Sequence, residues 1–189
     1  MSEELREWSD DRLAEGLRAR RGECVSELTQ RYWPPIQRFC ANYLCDHQLG
    51  EDVAQETFLR LADETPPPAG RVRPWLYRIA RNRCLDLLRR QKISPTHNHP
   101  LRTGIDPAAT RTGVSGVMRR DERDERVHRA IDGLPQEYRE VLLLKYFEGM
   151  GREEIAVALE LTPQAVKGRL ARASDALQEA LRGTSGSAG

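Results

Sequence analysis

Glu153-Glu154-Ile155-Ala156-Val157-Ala158-Leu159-Glu160-Leu161-Thr162-Pro163-Gln164-Ala165-Val166 has the spacing of a helix-turn-helix. Ala156 is small enough to let a second helix cross closely, and Val166, ten positions later, packs back into the angle between the two. Thr162 followed by Pro163 predicts an N-cap and a first-turn residue for the second helix. The turn position usually given to Gly is Glu160, where a left-handed backbone costs a side-chain-bearing residue about 1 kcal/mol. The outward positions Gln164, Lys167, Arg169 and Arg172 are long polar donors able to reach base edges and phosphates in a major groove. The other reading is two core helices meeting at a turn that never touches DNA.

Upstream, the same helical period runs through Leu13 and Leu17, then Val25, Leu28 and Tyr32, with a break expected at Pro34-Pro35. It resumes at Ile36, Phe39, Cys40 and Tyr43, then Leu49, Val53, Phe58 and Leu61. Thr65-Pro66-Pro67-Pro68-Ala69-Gly70 predicts a loop, and a basic helix beginning near Pro74 follows, buried through Leu76, Ile79, Ala80, Leu87 and Leu88. Residues 93–118 are rich in Gly, Pro, Ser and Thr without a period, and read as a flexible linker. Its 26 residues, fully extended, reach roughly 85 Å. Four helices are expected beyond Arg119, marked by Val127 and Ile131, by Val141, Leu142 and Leu144, by Ile155 and Leu159, and by Val166, Leu170, Ala173, Leu177 and Leu181. The expected organisation is all-α: a helical domain at 1–92, the linker at 93–118, a smaller helix-turn-helix domain at 119–182, and a disordered tail at 183–189.

Composition agrees. The chain has 189 residues, 30 Lys+Arg against 29 Asp+Glu, 39% hydrophobic and only 6% aromatic residues, which suits modest helical cores rather than a large sheet. No apolar run is long enough to span a membrane, and the N-terminal residues lack the basic and apolar regions of a secretion signal, so a soluble cytoplasmic protein with no membrane insertion is expected. Cys24, Cys40, Cys45 and Cys84 have no paired spacing, which suits a reducing compartment. Cys40, Cys45 and His47 can be drawn as a metal site, but Cys40 and Cys84 fall in apolar helical patterns, and a buried structural thiol is the commoner case. No metal or cofactor is expected.

The near-zero net charge conceals two blocks. Residues 46–64 carry six acids and one base, and residues 71–92 carry eight bases and one acid. Adjacent blocks of opposite sign suggest one basic and one anionic partner, or else two solvated helix faces. No glycine-rich phosphate loop, zinc-binding helix motif or flanked nucleophile is found, so no catalytic residue is assigned and an enzyme is excluded as the reading.

Four motifs in this order resemble the sigma-70 family of bacterial transcription initiation factors, specifically its small two-domain extracytoplasmic-function group. Asp52-Val53-Ala54-Gln55-Glu56-Thr57-Phe58-Leu59-Arg60-Leu61 is similar to the family's polymerase-binding helix. Pro74-Trp75-Leu76-Tyr77-Arg78-Ile79-Ala80-Arg81-Asn82 is similar to its promoter-melting segment, and Arg83-Cys84-Leu85-Asp86-Leu87-Leu88-Arg89-Arg90 to its −10 reader. Leu134-Pro135-Gln136-Glu137-Tyr138-Arg139-Glu140-Val141, followed by the helix-turn-helix, is similar to the −35-reading domain.

The resemblance implies that Asp52, Gln55 and Glu56 bind the clamp helices of the largest subunit of core RNA polymerase, and that the second domain meets the flap of the second-largest subunit. It implies that Trp75, Arg78, Arg81, Asn82, Arg83 and Arg89 serve −10 DNA, with Asn82 lining the pocket of an extruded base. Trp75 stays divided between stacking on DNA and anchoring the core, Phe58 is expected in the core, and Asp86 is expected to orient Arg89 or Arg90. Gln164, Lys167, Gly168, Arg169, Ala171 and Arg172 would face −35 DNA, and an anti-sigma factor is a further implied partner. The chain departs from the family pattern at Gln164-Ala165, Gly168 and Ser174, and at the Pro66–Pro68 loop, which puts promoter preference in question. Two rival classes stay open: a helix-turn-helix repressor whose first domain senses a ligand, and an adaptor that binds polymerase without reading promoters.

Overall fold

The computed structural model describes residues 3–63, 71–93 and 122–183, and among these residues it is helical throughout, with no strand. The Pro66–Pro68 loop, nearly all of the expected linker and the expected tail beyond Gly183 lie outside the described residues. The first group contains α1 (Glu3–Arg6), α2 (Asp10–Arg18), α3 (Gly22–Leu44), α4 (His47–Asp63) and α5 (Val72–Ile93). The second contains α6 (Glu122–Asp132), α7 (Gln136–Leu142), a π turn at Leu143–Phe147, α8 (Arg152–Leu159) and α9 (Pro163–Gly183).

The expected break at Pro34-Pro35 does not occur, because α3 runs through both prolines. Each removes one backbone donor, a loss that would ordinarily end the helix. Here the buried row Leu28, Tyr32, Ile36, Phe39, Cys40 and Tyr43 packs on both sides of the interruption, and Gln30, whose carbonyl loses its donor at Pro34, is exposed, so that carbonyl can meet water. α5 also starts at Val72, two residues before the expected Pro74.

Arg31 ties the N-terminal helices to α3. Its guanidinium donates to Asp10 Oδ1 at 2.6 Å, to the Trp8 carbonyl at 3.1 Å and to Glu27 Oε1 at 3.3 Å, while the Tyr32 hydroxyl donates to the other Asp10 oxygen. α3 ends at Cys45 in the left-handed region (φ 54°). Asp46 Oδ1 then accepts from the Gln48 and Leu49 amides at 2.9 and 3.0 Å, starting α4. α3 and α4 approach closely at Gly50, where a Cβ would lie 2.5 Å from the Ala41 backbone. Phe58 is buried as expected, with its ring centroid 5.7 Å from that of Trp33. Cys40 and Cys84 are both fully buried, the expected structural thiols.

In the second group Val141, Leu142, Leu144, Met150, Ile155, Val166 and Ala173 form the core. The two groups are not merely tethered: α5 packs along α8, and the π turn lies against α3. The core is continuous across that joint.

Candidate nucleic-acid interface

α8 and α9 form the expected helix-turn-helix. Ala156 and Val166 are buried at the crossing, and Thr162 Oγ1 accepts from the Ala165 amide at 3.1 Å, capping α9. Glu160 does adopt the left-handed conformation, at φ 56°. Gln164, Lys167, Gly168, Ala171 and Arg172 are exposed along one side of α9. Arg169 is half-buried and lies 3.7 Å from Glu137. This side is cationic and open to solvent, the condition for entering a major groove.

On α4, Asp52, Gln55 and Glu56 are exposed together, at positions i, i+3 and i+4. Leu59 joins them with 71% of its surface exposed. The sequence reading passed over this residue, although it falls off the Val53, Phe58, Leu61 face and so interrupts the period. Tyr146, in the π turn, is 63% exposed and was missed too. Glu56 is shared with the neighbouring helix, since one of its carboxylate oxygens accepts from Arg83 Nε at 2.8 Å and also from Arg83 Nη2. Asp86 lies 3.9 Å from Arg83 and 3.8 Å from Arg89, so the partner of Arg89 is as expected.

Part of the basic face of α5 is engaged within the chain, while Arg89 and Arg90 at its far end are exposed. Trp75 is 3% exposed and anchors the core. Arg81 Nε donates to Glu140 Oε2 at 2.7 Å, and Arg81 also lies beside the Asn82 amide oxygen. Arg78 lies 3.7 Å from Glu160 and Arg73 lies 3.7 Å from Glu154. The Glu148 carboxylate accepts from Arg38 at 3.2 Å and from the Tyr77 hydroxyl, and its carbonyl accepts from Arg73. Glu140 and Glu148 are 3% and 6% exposed. The Tyr43 hydroxyl donates to Glu140 Oε1 at 2.9 Å and accepts from Gln136 Nε2 at 2.6 Å.

Burial, and then the adjacent Glu140 and Glu148 carboxylates, raise the Tyr43 and Tyr77 hydroxyl pKa values far above the ordinary range, so both remain donors. Arg139 adds hydrogen bonds to the Tyr43 carbonyl and Cys45 Sγ, both at 3.4 Å. Burial pushes the Cys45 thiol up to about 11. None of these acid partners could be found from spacing, because Arg81 and Glu140 are 59 positions apart and Arg38 and Glu148 are 110 apart.

Two family models match the chain: Sigma-70 region 2 over residues 28–93 and Sigma-70, region 4 over residues 124–177. The ECF RNA polymerase sigma factor SigM of Bacillus subtilis is 28% identical over 82% of this chain and 93% of its own. The solved structure of CnrH in complex with the cytosolic domain of CnrY superposes with a TM-score of 0.66 at 26% identity, over 93% of this chain and 99% of that one. The sigma factor RpoE of Bartonella quintana, solved with the anti-sigma factor NepR, shares the fold at TM-score 0.64 and 20% identity, over 83% of this chain and 96% of that one. The chain belongs to the sigma-70 family of RNA polymerase sigma factors, in its extracytoplasmic-function group. Its function is to direct promoter-specific transcription initiation. Among the described residues no helix is long and apolar enough to cross a membrane.

Proposed function

We propose that this sigma factor engages core RNA polymerase through Asp52, Gln55 and Glu56 on α4, with Leu59 as an apolar anchor among them. The clamp helices of the largest subunit are the partner on that face, and the flap of the second-largest subunit is the partner of the second domain. Gln164, Lys167, Gly168, Arg169, Ala171 and Arg172 face the −35 duplex, while Arg78, Arg81, Asn82, Arg83 and Arg89 hold the melted −10 strand. Trp75 seats α5 from beneath. The domains are residues 1–92 and 119–182, and the connector between them spans the roughly 70 Å that separates two sites two turns apart on duplex DNA. The protein acts in the cytoplasm and performs no catalytic step itself.

The observation that carries this reading is the exposed cationic side of a capped second helix, on the same chain as an exposed acidic-apolar face of α4. An anti-sigma protein is a further proposed partner, supported by the RpoE relative having been solved with one.

Transcription by purified core polymerase on a library of genomic upstream fragments, with and without the protein, tests the proposal. New discrete start sites should depend on the protein and weaken with Asp52→Lys/Gln55→Ala and with Asn82→Ala. Binding to core without new start sites would favour an adaptor, and duplex binding without core a repressor.

A further inference from the structure

The exposed side of α9 is not uniformly basic. At about 100° per residue, Gln164, Gly168, Ala171 and Asp175 fall within about 60° of one another, opposite the buried Val166 and Ala173. Lys167 and Arg172 lie on the two flanks of this line, about 140° apart. A helix in a major groove turns its flanks to the two phosphate backbones and its central line to the base edges. Lys167 and Arg172 are therefore placed for phosphate, one on each strand, while Arg169 is drawn toward Glu137. The line that meets the bases carries no cation.

Two features of that line have no use inside the chain. Gly168 weakens the helix relative to alanine, yet a Cβ built on it would meet nothing within 4 Å, so no internal contact requires its smallness. Gln164 is exposed in the first turn, and among the described residues no hydrogen bond or ion pair holds its amide. Asp175, farther along, carries charge of the same sign as phosphate and so closes the base-facing stretch. Residues 164–172 remain, about 12 Å of helix, which matches roughly three to four base pairs at about 3.4 Å each.

We propose that Gln164 reads one adenine of the −35 element, and that Gly168 and Ala171 are small because α9 must seat deeply for it to do so. The carboxamide holds a donor and an acceptor side by side: Nε2 donates to adenine N7 and Oε1 accepts from adenine N6. Gly168 and Ala171 add no side-chain hydrogen bond, so the neighbouring base pairs are discriminated by shape and methyl contact. The inference rests on the placement of α9 against −35 duplex and deepens it. Because Gln164 and Gly168 both depart from the family pattern, the adenine is a preference of this chain's own.

The test is selection from a randomised duplex by the full chain, alone and assembled with core polymerase. Anisotropy titrations of the selected site and its single-base variants follow, at several salt concentrations. Wild type selects a run of roughly three to four base pairs with one adenine whose replacement weakens binding about 5- to 150-fold. Gln164→Ala binds the selected site no better than the replaced one, loses preference at that position alone, and keeps the salt slope, because no phosphate contact is removed. Gln164→Glu moves the preference there to cytosine, whose N4 donates to a carboxylate. Gly168→Gln weakens binding to every duplex although it strengthens the helix.

Gln164 is exposed and unpartnered, so its truncation leaves the fold intact, which far-ultraviolet ellipticity checks. An adenine preference that survives in Gln164→Ala, or a loss spread evenly over all sequences, overturns the reading by Gln164. Undiminished binding by Gly168→Gln overturns the deep seating. If wild type selects no sequence in either form, or if Lys167→Ala and Arg172→Ala leave affinity and salt slope unchanged, α9 does not lie in the duplex, and the placement has failed rather than the choice of Gln164 alone.

Discussion

The same substitution at two helical glycines should change stability in opposite directions. Gly168 lies inside α9 with nothing within 4 Å of a Cβ built on it. Gly168→Ala therefore gains the helix-propensity difference, about 0.8–1 kcal/mol. Gly50 would gain as much in α4, but its Cβ would sit 2.5 Å from both the Cα and the amide nitrogen of Ala41 and 2.9 Å from its Cβ. Ordinary contact needs roughly another ångström, and backbone cannot swing aside as a side-chain tip can, so α3 and α4 must separate along their length. Overpacking of this kind costs typically 1–3 kcal/mol and more where backbone must move. Taking about 3 kcal/mol for the overlap, Gly50→Ala loses about 2 kcal/mol net, and in a unit of 60–100 residues the midpoint falls by roughly 8–16 °C. Urea and thermal unfolding followed at 222 nm measure both variants. A Gly50→Ala protein as stable as wild type would refute the close α3–α4 approach and with it the seating of the Asp52, Gln55, Glu56 face.

Three other outcomes are expected. Thr162→Ala removes the cap of α9 and should cost about 1 kcal/mol, read as faster hydrogen exchange in the first turn of that helix. The Cys45 thiol, pushed up to about 11 chiefly by burial, should alkylate far more slowly than a free thiol at pH 8. Because its folded pKa is raised, its share of stability is complete below the ordinary thiol value of 9.0 and is lost as pH rises through about 11. Stability measured against pH across that window, with Cys45→Ser for comparison, checks the sign. Lys167→Ala and Arg172→Ala should each lower the salt slope of −35 duplex binding by about one, if each neutralises a phosphate. Titrations at several salt concentrations decide this.

Much of the molecule was legible because it depends on neighbours within one or two turns. The period of three and four residues located the helices, Thr162-Pro163 marked the start of α9, and Ala156 with Val166 marked its crossing of α8. The face bearing Asp52, Gln55 and Glu56 followed from their spacing alone. Pro34-Pro35 misled, because a local rule for ending helices was overridden by the row of buried side chains on either side of it. Leu59 and Tyr146 escaped notice because single exposed apolar residues are common on protein surfaces, and only their accessibility in the fold sets them apart.

The sequence by itself determined an all-α chain with an acidic helix, a basic helix and a helix-turn-helix, because periodicity, caps and charge runs are short-range properties. Tertiary structure alone decided which of those charges face solvent. The pairing of Arg81 with Glu140, of Arg38 with Glu148 and of Arg78 with Glu160 joins residues brought together only when the second group packs on the first. No local pattern encodes such a pairing, since each side chain alone would be an ordinary solvated charge, and burial between two surfaces turns it into a contact that orients them.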